Sequence, residues 1–360
     1  MKENKHFIDY DLGIILIAFF MLVCLGIGAA WKGLTISMIR NVLQNSAWIL
    51  TALGVCITMR TGILNLSGFA IGYTLLGILT VLSFSVGAWA LVIGMTIVLA
   101  LLFSLMGKIW RIPVWPFALG IQLILQGMVF MMTDTMPVMM STGQPSWIVR
   151  GFIGFIPVSF LLVVIIAVVV WGMFQVTPWG KPIKQQRQGD EVSFGWACGA
   201  QIACIVLGMV EAWLLMKRIN VYQPSIFMGF SRPLMAFLMI FFSSCSKRLD
   251  NRVMPVIMTV LGAMFLNGFQ VNMNLMMLSS FVQQGILLVL AIGSTWMNRV
   301  YRMKGWYPMV VLASIGSVMG WIAIPVVIVA MVYQKIKGYG WGDWMPLENT
   351  DILPNQVMSS

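Results

Sequence analysis

Gln122 and Gln126 stand four residues apart inside an otherwise apolar run, and Asn267 and Gln270 stand three apart inside another. Each pair falls on one face of a helix. A carboxamide in hydrocarbon needs a partner, so these faces meet either another helix or a wetted pathway. Asn65 and Ser67 belong to the polar interruption Thr61-Gly62-Ile63-Leu64-Asn65-Leu66-Ser67-Gly68 between two apolar runs. Backbone that leaves helical geometry near a membrane needs protein or water around it, which puts this hinge inside a bundle, beside a pathway. The chemistry all six residues offer is hydrogen bonding by neutral amides and hydroxyls, which suits a neutral polar solute better than an ion.

Other reactive groups are few. Glu211 is the one acid inside an apolar run; with Lys217 and Arg218 just beyond it, it reads as a local ion pair, and a single carboxylate makes no proton relay. His6 lies in a polar N-terminal tail. Cys24, Cys56, Cys198, Cys204 and Cys245 all fall in apolar runs without Cys-x-x-Cys spacing, so they read as small hydrophobes rather than as disulfides or metal ligands. The 31 methionines are scattered through nearly every run and read as adaptable packing. No Gly-x-x-x-x-Gly-Lys-Ser/Thr occurs, so no nucleotide-hydrolysing loop is expected in this chain, and no enzyme activity or resident cofactor.

The elements that must position these groups are membrane helices. Sixty per cent of residues are hydrophobic and 9% charged, against about 25% charged in soluble domains, so the expected class is an all-α, polytopic membrane protein. Candidate spans are 12–31, 36–59, 66–84, 88–107, 113–133, 155–174, 192–216, 233–245, 255–269, 279–297 and 308–332, which predicts about 10–11 crossings. The run 36–59 would rise about 36 Å at ~1.5 Å per residue, enough to cross. Residues 1–11 form a tail, 12–332 one membrane domain, and 333–360 a second tail. With the N-terminus in the cytoplasm, fourteen Lys and Arg lie inside and eight outside, the usual bias. The net charge of +11 therefore reads as membrane orientation rather than nucleic-acid binding.

Four stretches carry a family resemblance. Gly62, Asn65, Leu66 and Ser67 resemble the hinge signature of permease subunits from ABC importers of ribose-type sugars, branched-chain amino acids and nucleosides, with Asn65 for the sugar permeases' Asp and Phe69 for a Gly. Ile112, Pro113, Leu119, Gly120 and Gly127 resemble the next landmark, with Ala118 and Gln126 in place of a Thr and an Arg. Thr177, Gly180, Lys181, Ile183 and Glu191 resemble the cytoplasmic segment that couples such a permease to its ATPase. Gly262, Asn267, Gly268, Asn274, Gln283 and Gly285 resemble the last.

This resemblance implies an importer-permease bundle in a bacterial plasma membrane, moving a sugar, nucleoside or branched-chain amino acid. It implies coupling through 177–191, with Lys184 beside Lys181 in contact with the ATPase. The implied partners are separate ABC ATPase subunits that bind the ATP, a second permease copy or paralogue, an extracytoplasmic binding protein and the lipid bilayer. Two alternatives stand beside it: a secondary carrier or facilitator acting alone, and a degenerate permease-like scaffold paired with a more typical paralogue. The scaffold reading draws on Ser243, Ser244, Ser246, Lys247 and Arg248, which replace the glycine-rich turn of related permeases.

Overall fold

The structure, a computed structural model, describes residues 36–110, 112, 114–140, 147–154, 156–180, 192–224, 254–275, 277–279 and 282–283. All of them belong to the first of two compact units, residues 1–283. The expected runs 12–31, 233–245 and 308–332, nearly all of 279–297, and Lys181, Ile183, Lys184 and Glu191 lie outside the described residues.

Eight helices of nine residues or more organise what is described: α1 (Ile36–Gln44), α2 (Trp48–Arg60), α3 (Gly68–Val81), α4 (Val86–Lys108), α5 (Val114–Thr133), α6 (Val158–Val176), α7 (Phe194–Ile219) and α8 (Met254–Leu275). The all-α expectation holds, with the addition of two antiparallel ribbons of two-residue strands, β1 (Val138–Met139) with β4 (Val221–Tyr222) and β2 (Phe152–Ile153) with β3 (Ile156–Pro157). The run 36–59 is divided: a 3-10 turn at Asn45–Ala47 separates α1 from α2. Asn and Ser side chains compete for backbone hydrogen bonds, and Asn45 Nδ2 donates to Asn41 Oδ1 at 3.2 Å. The short run 255–269 is a 22-residue helix, because α8 continues beyond the point where hydropathy falls.

Four stretches are long and apolar enough to cross a membrane: Arg40–Arg60, Val86–Lys108, Val158–Val176 and Phe194–Ile219. Their outer faces are as apolar as their inner ones. On α4, Ala88, Val92, Thr96, Leu99 and Phe103 turn inward at helical spacing, while Trp89, Ile93, Ile97 and Val98 are exposed. On α6, Val163, Ala167, Val170 and Phe174 are buried and Ile165, Val168 and Val169 exposed. A soluble helix would carry charge on that outer face; hydrocarbon explains its absence.

Contacts between the connections sort the chain into two ends. At one, the hinge end, Ile63 lies against Gly107, the Arg60 guanidinium sits over the Phe174 ring, 5.7 Å from its centroid, and Trp179 Nε1 donates to the Trp196 carbonyl. At the other, the ribbon end, β1 pairs with β4, Arg150 Nη2 donates to the Arg218 carbonyl at 2.9 Å, and Arg40 Nη2 to that of Gly154 at 3.4 Å. Helices α2, α3, α4, α5, α6 and α7 thus run alternately up and down between these ends.

The centre is α3, buried from Gly68 to Thr80, with α7 across it. Small residues bring the two backbones together. A Cβ on Gly208 of α7 would strike the Gly68 carbonyl, and one on Gly72 would sit 2.7 Å from the Gly208 carbonyl carbon. Such close crossing is how membrane helices gain packing without a hydrophobic driving force. Helix α7 also packs on α2 and α4, α5 on α3 and α4, and α8 on α1 and α2.

Candidate functional site

The hinge is a fastened turn. Thr61 Oγ1 donates to the Thr58 carbonyl at 2.7 Å as α2 ends, and Gly62 takes φ +78°, a left-handed conformation that glycine adopts without strain. Asn65 Oδ1 accepts from the Ser67 N–H at 2.9 Å, an Asx turn that starts α3. Asn65 Nδ2 donates to Gln201 Oε1 at 2.9 Å, and Gln201 Nε2 donates to the Ile63 carbonyl at 3.2 Å. Asn65, Ser67 and Gln201 are all buried. Gln201, which sequence reasoning passed over, therefore ties α7 to the hinge through both ends of its amide. Its signal was its place among Ala197, Ala200, Cys204 and Gly208, the small-residue face of α7.

Gln122 and Gln126 lie at the middle of α5, on the face with Ala118, Leu125 and Val129 that packs on α3. Gln122 is fully buried and Gln126 is 4% exposed, yet neither the nitrogen nor the oxygen of either amide has a hydrogen-bond partner among the described residues. Leaving a buried polar group unsatisfied costs about 1–3 kcal/mol. Of the two meetings expected for this face, the structure provides the neighbouring helix, without the hydrogen bonds.

On α8, buried Asn267 donates from Nδ2 to the Val42 carbonyl at 2.5 Å, next to the 3-10 turn that interrupts the α1 ladder. Gln270 is half-buried. Gln283 Nε2 donates to Asn274 Oδ1 at 2.9 Å and to the Leu278 carbonyl at 2.8 Å. Five of the six expected pathway residues thus occupy three different seams: Asn65 and Ser67 with α7, Gln122 and Gln126 with α3, and Asn267 with α1.

Glu211 has a wider role than the local ion pair expected of it. It is fully buried, and its Oε2 accepts from the Thr51 N–H at 3.2 Å and from Thr51 Oγ1. Thr51 lies in the first turn of α2, where a helix dipole favours negative charge. Arg218 reaches to the same junction, its Nη1 donating to Asn45 Oδ1 at 2.8 Å and Nη2 to Gln44 Oε1 at 2.9 Å. The far half of α7 therefore grips both sides of the α1–α2 break. Among the described residues, no three His, Cys, Asp or Glu side chains gather as a metal site.

The described residues that flank the expected coupling stretch lie at the hinge end. Thr177 closes α6, its N–H and Oγ1 both donating to the Met173 carbonyl, at 2.8 and 2.7 Å. A Cβ on Gly180 would collide with the Phe174 carbonyl, so the chain turns back there on a glycine. Trp179 is buried, donates to the Trp196 carbonyl at 2.9 Å and meets the Trp196 ring edge-on at 6.0 Å. The two flanks of residues 181–191 are thereby pinned together.

Compared with known protein families, curated proteins and solved structures, the chain matches none of them. What fold and interior define is a class: a helical, multi-pass membrane protein whose polar groups are gathered on internal seams and whose outer faces suit lipid.

Proposed function

We propose that this chain is the permease subunit of an ATP-driven ABC importer in the plasma membrane, moving a small polar solute of the sugar, nucleoside or branched-chain amino acid class. Separate ATPase subunits supply the power, a second permease copy or paralogue completes the pathway, and an extracytoplasmic binding protein delivers the solute. The observation that carries this reading is the Trp179–Trp196 clasp. Because Trp179 and Trp196 fasten the two flanks of the basic segment 181–191, a push on Thr177, Gly180, Lys181, Ile183, Lys184 or Glu191 would pass to α6 and α7. Helix α7 in turn holds the Asn65 hinge through Gln201 and the α1–α2 break through Glu211 and Arg218. ATP-driven closure of the partner would thus reach both halves of the bundle, favouring one opening over the other.

The test is the double charge reversal Lys181→Glu with Lys184→Glu. Uptake and co-purification of the ATPase should both be lost while membrane insertion is kept; normal uptake would remove the coupling assignment. A second reading, a carrier acting alone, draws on Glu211, a carboxylate fully buried among membrane helices. Uptake by vesicles that hold this chain without any ATPase would select it.

A further inference from the structure

Helix α3 is bordered by seams that differ in kind. Against α7 the backbones meet at Gly68, Gly72 and Gly208, and the amides of Asn65 and Gln201 are hydrogen-bonded across. Against α5, four polar atoms of Gln122 and Gln126 are sealed in without a partner. Parting the first seam breaks hydrogen bonds and close packing, whereas parting the second lets four stranded groups find partners. The second is the seam that opens at lower cost.

We propose that the bundle parts between α3 and α5, and that Gln122 and Gln126 then contact the transported solute, an uncharged molecule bearing hydroxyl or amide groups. The proposal rests on the transport reading above and narrows it. Helices α3 and α5 contain no Asp, Glu, Lys, Arg or His, and the only charged residue of α4 is Lys108 at its hinge end. An ion or a zwitterion brought here would lose hydration without meeting an opposite charge on these three helices. A hydroxyl both donates and accepts, and so does each carboxamide, which matches the two without any charge. Asn65 is then a fastener of the hinge, and the selective contacts lie one seam away.

The experiment uses Gln122→Cys and Gln126→Cys in the full chain, in its native membrane with its partner subunits, reacted with a charged, membrane-impermeant thiosulfonate. The parent chain sets the background, and Ile124→Cys, at a position 65% exposed on the outer face of α5, sets the lipid-facing control. Both glutamine positions are expected to react roughly tenfold faster than Ile124→Cys, as a water-exposed state populated during turnover requires. Millimolar ribose or uridine should slow that reaction and leucine should not. Rates equal to the control with and without ATP overturn the seam; slowing by leucine alone, or by none of the three, overturns the solute contact.

The double variant Gln122→Leu with Gln126→Leu guards against a folding artefact. It should melt no lower than the parent and take up roughly tenfold less of the solute that slowed labelling; undiminished uptake overturns the contact. Failure of the importer reading looks different: labelling indifferent to ATP, with uptake that persists when the ATPase is absent, keeps the seam and replaces the importer with a carrier.

Discussion

The two faces of α3 show how a membrane helix can be fixed on one side and left ready to move on the other. Toward α7, glycine and cysteine replace bulk, and the Asn65–Gln201 pair uses the amides that hydrocarbon would otherwise penalise. Toward α5, ordinary apolar packing by Ala118, Leu125 and Val129 surrounds two amides with no hydrogen-bond partner among the described residues. The same residue type therefore has opposite energetic signs on the two faces of one helix. Gln201 stabilises the closed bundle, and Gln122 and Gln126 weaken it.

The largest way to break this comparison is Gly208→Val. A branched side chain has no room beside the Gly68 carbonyl, and overpacking of this kind costs about 1–3 kcal/mol or more. Expression should fall, and the remaining protein should aggregate on detergent extraction, as size-exclusion chromatography would report. Gln201→Leu comes next. It strands the Asn65 amide and the Ile63 carbonyl, and leaving buried groups unsatisfied in this way costs about 1–3 kcal/mol. Adding Asn65→Leu should cost much less than the sum, because the two residues share one interaction; additive melting shifts would show that no such pair exists.

Thr51→Val is expected to be milder. It removes the hydroxyl donor to Glu211 but keeps the N–H, so a destabilisation of about 1 kcal/mol should appear as a lower melting midpoint. Thr51→Ser, which keeps the hydroxyl, should stay closer to the parent. The smallest effect has the opposite sign. Gln122→Leu with Gln126→Leu should raise the melting midpoint slightly, by a gain of about 1 kcal/mol, since apolar groups of similar shape replace unsatisfied ones. A lower midpoint would mean that the α3–α5 seam is not strained and that the two faces of α3 are alike.

Much of this arrangement was legible in the chain. Hydropathy marked α3 to α7 to within a few residues, because apolar length is what a bilayer demands, and Thr61 to Ser67 announced a turn through Gly62, Asn65 and Ser67. The 3-10 break at Asn45–Ala47 was passed over, since one Asn and one Ser in a long apolar run do not end a helix by themselves. It forms where Arg218, Glu211 and Asn267 converge from other helices to receive Gln44, Asn45, Thr51 and the Val42 carbonyl. The reach of Glu211 was hidden for the same reason: Lys217 and Arg218 are its neighbours in sequence, whereas Thr51 meets it only in the fold.

The sequence alone determined that the chain is helical, that its helices are long and oily enough to span, and which few amides and hydroxyls must lie inside. Hydrophobicity and spacing are properties of single segments, and they can be read one segment at a time. Only the tertiary structure decided that Asn65 is paired while Gln122 and Gln126 are not. Whether a buried amide finds a partner depends on which helix faces it, and that is set by the close approach of glycines on α3 and α7, distant in sequence and adjoining in the fold.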